Sequence, residues 1–169
     1  FGQTVSEPWK VGHTFASLAT EETDAALYPQ IFSEPGDPLR QFMAGYTWAR
    51  FWQQKWPWVR HTLSRLADPG LRLSFIVLLP FEPDTWALAR EILGRNEPDY
   101  WRQTNANSYA SPPRALPTAI TQLLEVGRAT AALQCFDRMQ GEDAQIEPEL
   151  VATILEKLVT SGDPGRKVD

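Results

Sequence analysis

Residues 119–139, AITQLLEVGRATAALQCFDRM, admit few folds. Ile120, Leu123, Leu124 and Val126 recur at helical spacing, and Gly127 then breaks the pattern. Ala131, Ala132, Leu133, Cys135, Phe136 and Met139 form a second apolar stripe directly after it. A helix ending at glycine, followed at once by another with small residues on its inner side, is a helical hairpin. Hairpins of this kind stack into superhelices that bind other macromolecules.

The remaining chain reads as more helices joined by short turns. Residues 1–19 lack periodicity and are expected to be irregular. Thr20 followed by Glu21 and Glu22 predicts a helix start, with an end near Leu27 ahead of Pro29. Asp37 and Pro38 suit a helix N-terminus, and Leu39, Phe42, Met43, Tyr46, Ala49 and Trp52 continue it as one stripe. Pro57 interrupts that stripe, and a helix over 57–67 carries Val59, Leu63 and Leu66. Asp68-Pro69-Gly70 predicts a turn. The apolar run 71–79 fits a strand or a helix, and helix is preferred because no second strand is available to pair with it. Asp84 is expected to cap a helix ending at Gly94, and a short helix follows around 98–103. Residues 104–114 have the composition of an exposed loop. A polar linker, 140–147, precedes a last helix at 148–160.

The expected fold is all-α, an αα-superhelix of about seven or eight helices in a single helical domain. Its parts are an irregular 1–37, aromatic-rich helices over 38–79, regular helical hairpins over 84–160 and a polar tail at 161–169. The start at Phe1 and the tail GDPGRKVD suggest an excised piece of a larger protein.

Within 115–160, Gly127, Ala132 five residues on, Phe136 four further, then Met139 and Pro148 follow a definite order. In this the chain resembles the tetratricopeptide and pentatricopeptide class of helical repeats. There a glycine ends the first helix, a small residue permits the close crossing, and an aromatic fills the space between layers. The resemblance implies a solenoid of αα-hairpins that engages macromolecules. The Met139–Pro148 interval is about two residues longer than a pentatricopeptide repeat has, and no second copy stands upstream. No base-reading positions are therefore carried over.

Chemistry is sparsely encoded. Cys135 is the single cysteine, so no internal disulfide forms, and its apolar neighbours suggest a buried thiol. His13 and His61 lack metal-ligand spacing, so no metal or cofactor is expected. Glycine-rich nucleotide loops and the serine-hydrolase elbow are absent. An enzyme of unknown reaction is the third choice among functions, and the apolar setting of Cys135 disfavours a Cys135–His61 catalytic pair. The apolar run 73–81 falls short of the roughly 20 residues of a membrane span. Neither a charged n-region nor an h-region is read from Phe1 onward, so no signal peptide and a cytoplasmic setting are expected.

The segment from Leu39 to Ala67 is the candidate contact surface. It has no acidic residue, and it holds Arg40, Arg50, Lys55, Arg60 and Arg65 among Trp48, Trp52, Trp56, Trp58 and further aromatics. Trp48, Trp52 and Trp56 share one helical side if Pro57 leaves the helix intact. The candidate partner-binding residues are Arg50, Lys55, Arg60, Trp48, Trp52, Trp56 and Trp58. They could stack bases and bind phosphate, or receive an acidic or aromatic peptide. The competing reading is that the tryptophans wedge between helix layers while arginine stems lie over them. Tyr100, Trp101, Asn105, Asn107, Ser108 and Tyr109 form a weaker second candidate. The net charge of −5 disfavours a dedicated nucleic-acid binder. The first expectation is a non-catalytic scaffold or regulatory segment contacting a protein partner or other domains of a parent chain. Nucleic-acid binding through 39–67 is the alternative.

Overall fold

The structure is a computed structural model that describes residues 7–32, 37–140 and 148–160. Every regular element among them is helical, so the class is all-α. The chain divides into two compact units, Phe1–Leu79 and Pro80–Asp169.

The first unit contains α1 (Glu7–Phe15), α2 (Glu21–Phe32), α3 (Asp37–Arg65) and α4 (Pro69–Ile76). The helix α1 corrects the expectation of an irregular start. It escapes a periodicity search because the one residue it fully buries is Gly12. A Cβ placed on Gly12 would lie 2.0 Å from the Phe42 carbonyl oxygen, and one on Gly45 would lie 2.0 Å from the Trp9 carbonyl oxygen. The two helices therefore meet backbone to backbone, with each glycine Cα facing the other helix's carbonyl. Ala16 and Ala49, four residues after each glycine, are buried as well.

At the start of α2, Thr20 and Thr23 exchange side-chain and backbone hydrogen bonds (Thr23 N to Thr20 Oγ1 3.3 Å, Thr20 N to Thr23 Oγ1 3.2 Å). The helix does not stop before Pro29 but continues to Phe32. Pro29 has no N–H to give the Ala25 carbonyl, and Tyr28 beside it is buried. Helix α3 is two helices joined at Lys55, whose φ of 59° and ψ of −154° are non-helical. Pro57 explains the break. It cannot donate to the Gln53 carbonyl, and its ring fits only the first turn of a new helix. Asp68-Pro69-Gly70 opens α4 rather than a free turn, since Asp68 Oδ1 accepts from Leu71 N at 2.9 Å. Tyr28, Met43, Tyr46, Val59, Phe75 and Ile76 form the core of this unit.

The second unit contains α5 (Pro83–Leu93), α6 (Glu97–Gln103), α7 (Leu116–Glu125), α8 (Ala129–Gln140) and α9 (Pro148–Thr160). Glu82, not Asp84, holds the cap position of α5. The α7–α8 corner forms at Gly127, with φ of +79°. Arg128 N donates to Leu123 O (2.8 Å) and Gly127 N to Leu124 O (3.1 Å), which closes α7 by the paired bonds of a Schellman end. Ala129, Ala132, Cys135, Phe136 and Met139 face inward, whereas Leu133 is partly exposed.

The segment 104–114 is less loop-like than its composition suggests. It contains two single-turn helices, Ser108–Ala110 and Pro113–Ala115, and it buries Thr104, Ser108 and Ser111. The Ser111 hydroxyl donates to the Phe81 carbonyl, and Arg128 Nη1 donates to the carbonyls of Trp101 (2.9 Å) and Thr104 (2.7 Å). Of the linker expected over 140–147, Gln140 still belongs to α8, and 141–147 lies outside the described residues, as does the tail at 161–169.

Candidate functional site

Asp24, one helical turn before Tyr28 on α2, is 5% exposed. Its Oδ1 accepts from the Tyr46 hydroxyl (2.5 Å) and Arg50 Nε (3.1 Å). Its Oδ2 accepts from Arg50 Nη2 (2.6 Å) and Trp58 Nε1 (2.8 Å). The Gln54 amide, with its oxygen turned toward Arg50, accepts from Nη1 (2.6 Å) and Nη2 (3.0 Å). Burial works against the Arg50 charge, but the Asp24 hydrogen bonds and charge hold the guanidinium above its ordinary pKa. Desolvation and the Asp24 carboxylate push the Tyr46 phenol well above its usual range. The cluster is a saturated ion pair. It fixes α2 against both halves of α3, with both carboxylate oxygens of Asp24 each accepting two hydrogen bonds.

Two of the sequence-predicted contact residues thus lie inside the fold. Arg50 is 3% exposed and Trp58 is 4% exposed, and both serve Asp24. The others sit nearer the surface. Trp52 is 52% exposed, Lys55 and Arg60 are exposed, and Trp48 and Trp56 are half-buried. The break at Lys55 separates the expected row of three tryptophans. Trp48 meets Trp52 edge to face (5.6 Å between centroids), whereas Trp56 packs against Phe51 (5.4 Å). Lys55 Nζ stands 3.5 Å from the Trp52 ring centroid and 5.3 Å from that of Phe51. The structure therefore brings Trp48, Trp52 and Lys55 together at the helix break, while Trp56 joins Phe51.

Beside Asp24 lies a cleft of about 190 Å³, bordered by Glu21, Tyr28, Pro29, His61, Thr62 and Arg65. His61 Nε2 is 3.7 Å from Glu21 at its rim, with both side chains largely exposed. The second-unit residues Tyr100 and Trp101 are buried, and Tyr109 is 82% exposed. Cys135 is fully buried, and burial pushes its thiol up to about 12 against a smaller opposing pull from Arg128. A thiol in that setting is a poor nucleophile. Among the described residues no group of His, Cys, Asp and Glu could hold a metal, and no helix is long and apolar enough to cross a membrane.

Sequence reasoning did not single out Asp24. It follows two glutamates at a helix start, where acids are ordinarily attributed to the helix dipole. The available signal was its spacing of four residues from Tyr28, which places it on the inward face of α2. No family model, curated protein or solved structure matches the chain.

Proposed function

We propose that this chain is a non-catalytic interaction module, a superhelical arrangement of helical hairpins acting as a scaffold or regulatory segment in the cytoplasm. The single observation that carries this reading is the aromatic–cationic surface at the α3 break. There a half-exposed Trp52 carries the Lys55 ammonium on its ring face, at a backbone conformation lysine rarely adopts. Backbone strain persists where surrounding structure enforces it, and it collects at binding and switching sites. Exposed tryptophan is also among the side chains that dominate protein interfaces. The nucleic-acid reading is weaker, because the Arg50 guanidinium is engaged by Asp24 and Gln54 inside the fold.

Photo-cross-linking tests the proposal. A photoreactive amino acid replaces exposed Gln53, next to Trp52. The expected result is a discrete protein adduct that disappears with Trp52→Ala. Adducts no different from those formed at Glu156, an exposed position on α9, would overturn it. An adduct to nucleic acid that weakens steeply with salt and with Lys55→Glu and Arg60→Glu would support the alternative instead.

A further inference from the structure

From the geometry at the break in α3 we infer that the Trp48–Trp52–Lys55 surface takes an acidic peptide segment, with a carboxylate on the Lys55 ammonium and an apolar neighbour against the exposed indole. This rests on the interaction reading above and names the chemistry of its partner.

Exposed ion pairs contribute little because two long side chains must be immobilised to make one bond. At Lys55 much of that ordering is already done. The residue is held at φ 59° and ψ −154°, and its ammonium lies 3.5 Å from the Trp52 centroid. An ammonium on a ring face directs its charge into the π cloud while keeping N–H groups outward. It is a preorganised receptor for a carboxylate, and preorganisation is what converts a marginal surface contact into useful affinity.

The charge around it is one-sided. No acidic residue occurs between Leu39 and Ala67; of the α2 carboxylates that reach this helix, Asp24 is consumed by Tyr46, Arg50 and Trp58, and Glu21 lies against His61 at 3.7 Å. The net charge of −5 does not repel an acidic partner from this surface. Residues 1–79 contain seven acidic and seven basic residues, whereas residues 80–169 contain fourteen acidic and nine basic. The first unit is neutral overall and locally basic over 39–67. A basic segment gains no counter-charge from residues 39–67, and a wholly apolar one leaves the ammonium without its own.

Selection of a random 12-residue peptide library on phage against the intact chain tests this. Enriched peptides are expected to carry Asp or Glu within a few residues of an aromatic or aliphatic side chain. Their synthetic forms are expected to bind at least tenfold more weakly to Lys55→Gln and to Lys55→Gly, and to recover with Lys55→Arg. Glycine is at ease at this φ, so Lys55→Gly keeps the fold while removing the cation, and lost binding then reports recognition rather than unfolding. Enriched peptides without acidic residues, no enrichment at all, or unchanged binding to Lys55→Gln would each overturn the inference. If Trp52-dependent cross-linking at position 53 persists in any of those cases, the interaction reading survives and only the acidic partner falls.

Discussion

Substituting Asp24 by alanine strands the Arg50 guanidinium in a site where it is 3% exposed. Removing one member of a buried ion pair leaves the other charge uncompensated, at about 3–5 kcal/mol. The expected outcome for Asp24→Ala is a loss of that size in urea denaturation, with retained helicity at low denaturant. The paired change Asp24→Leu with Arg50→Met removes both charges and is expected to cost far less, since apolar replacements of whole pairs are often neutral or better. A double variant as unstable as Asp24→Ala would show that the Tyr46 and Trp58 bonds, not the ion pair, hold this unit. A second residue-scale prediction concerns alkali. Burial raises the Cys135 thiol from 9.0 to about 12 and lifts the phenols of Tyr28 and Tyr100 above their ordinary 10.0. An acid whose pKa is higher folded than unfolded stabilises the fold fully below its unfolded value. That contribution is lost as pH rises toward the folded value, because the unfolded chain then binds fewer protons. Unfolding free energy is expected to stay level from pH 7 to about 9 for these groups and to fall between about 9 and 12. A level profile to pH 11 in urea titrations would contradict the burial of these groups.

Between elements, the α1–α3 crossing depends on the absence of two side chains. Alanine at Gly12 or Gly45 would put a Cβ 2.0 Å from a backbone oxygen, and a carbonyl cannot swing aside as a side chain can. Each substitution is expected to destabilise by about 1–3 kcal/mol, the usual range for overpacking, although alanine is the better helix former. Thermal unfolding of Gly12→Ala that matches the parent would refute the close crossing. The same glycines show why some elements were legible in the sequence and others were not. Gly127 follows one apolar stripe and precedes another, so the α7–α8 corner could be read directly, and its +79° φ agrees. Gly12 and Gly45 sit inside helices, where glycine ordinarily signals weakness, so a contact made of backbone left no apolar pattern to follow. Pro57 announced the break in α3, but not that Lys55 would take up the strain two residues earlier. The aromatic segment was recognised as distinctive. Its division into a buried Trp58 and a half-exposed Trp52 depended on Asp24, a partner contributed by a different helix.

Across the whole molecule, burial is uneven enough to set an order of opening. In the first unit Tyr28, Met43, Tyr46, Val59, Phe75 and Ile76 are almost wholly enclosed. In the second, α7 and α8 bury Leu116, Ile120, Leu123, Ala132 and Cys135 completely or nearly so. By contrast, Ile154 is the one fully buried residue of α9, while Leu155 is 55% exposed and Val159 is 86% exposed. A helix held by so little buried apolar surface opens at a lower free energy than its neighbours, since local stability follows contact density. Native-state hydrogen exchange is therefore expected to give the slowest amides in two separate stretches, α3 and α7–α8. Amides of α9 are expected to exchange at least tenfold faster than those of α8, and Ile154→Ala is expected to speed α9 further while leaving α7 unchanged. Protection in α9 equal to that in α8 would mean that something covers Leu155 and Val159 in solution. Dilution would then identify it, because only cover by a second copy of the chain would disappear as concentration falls.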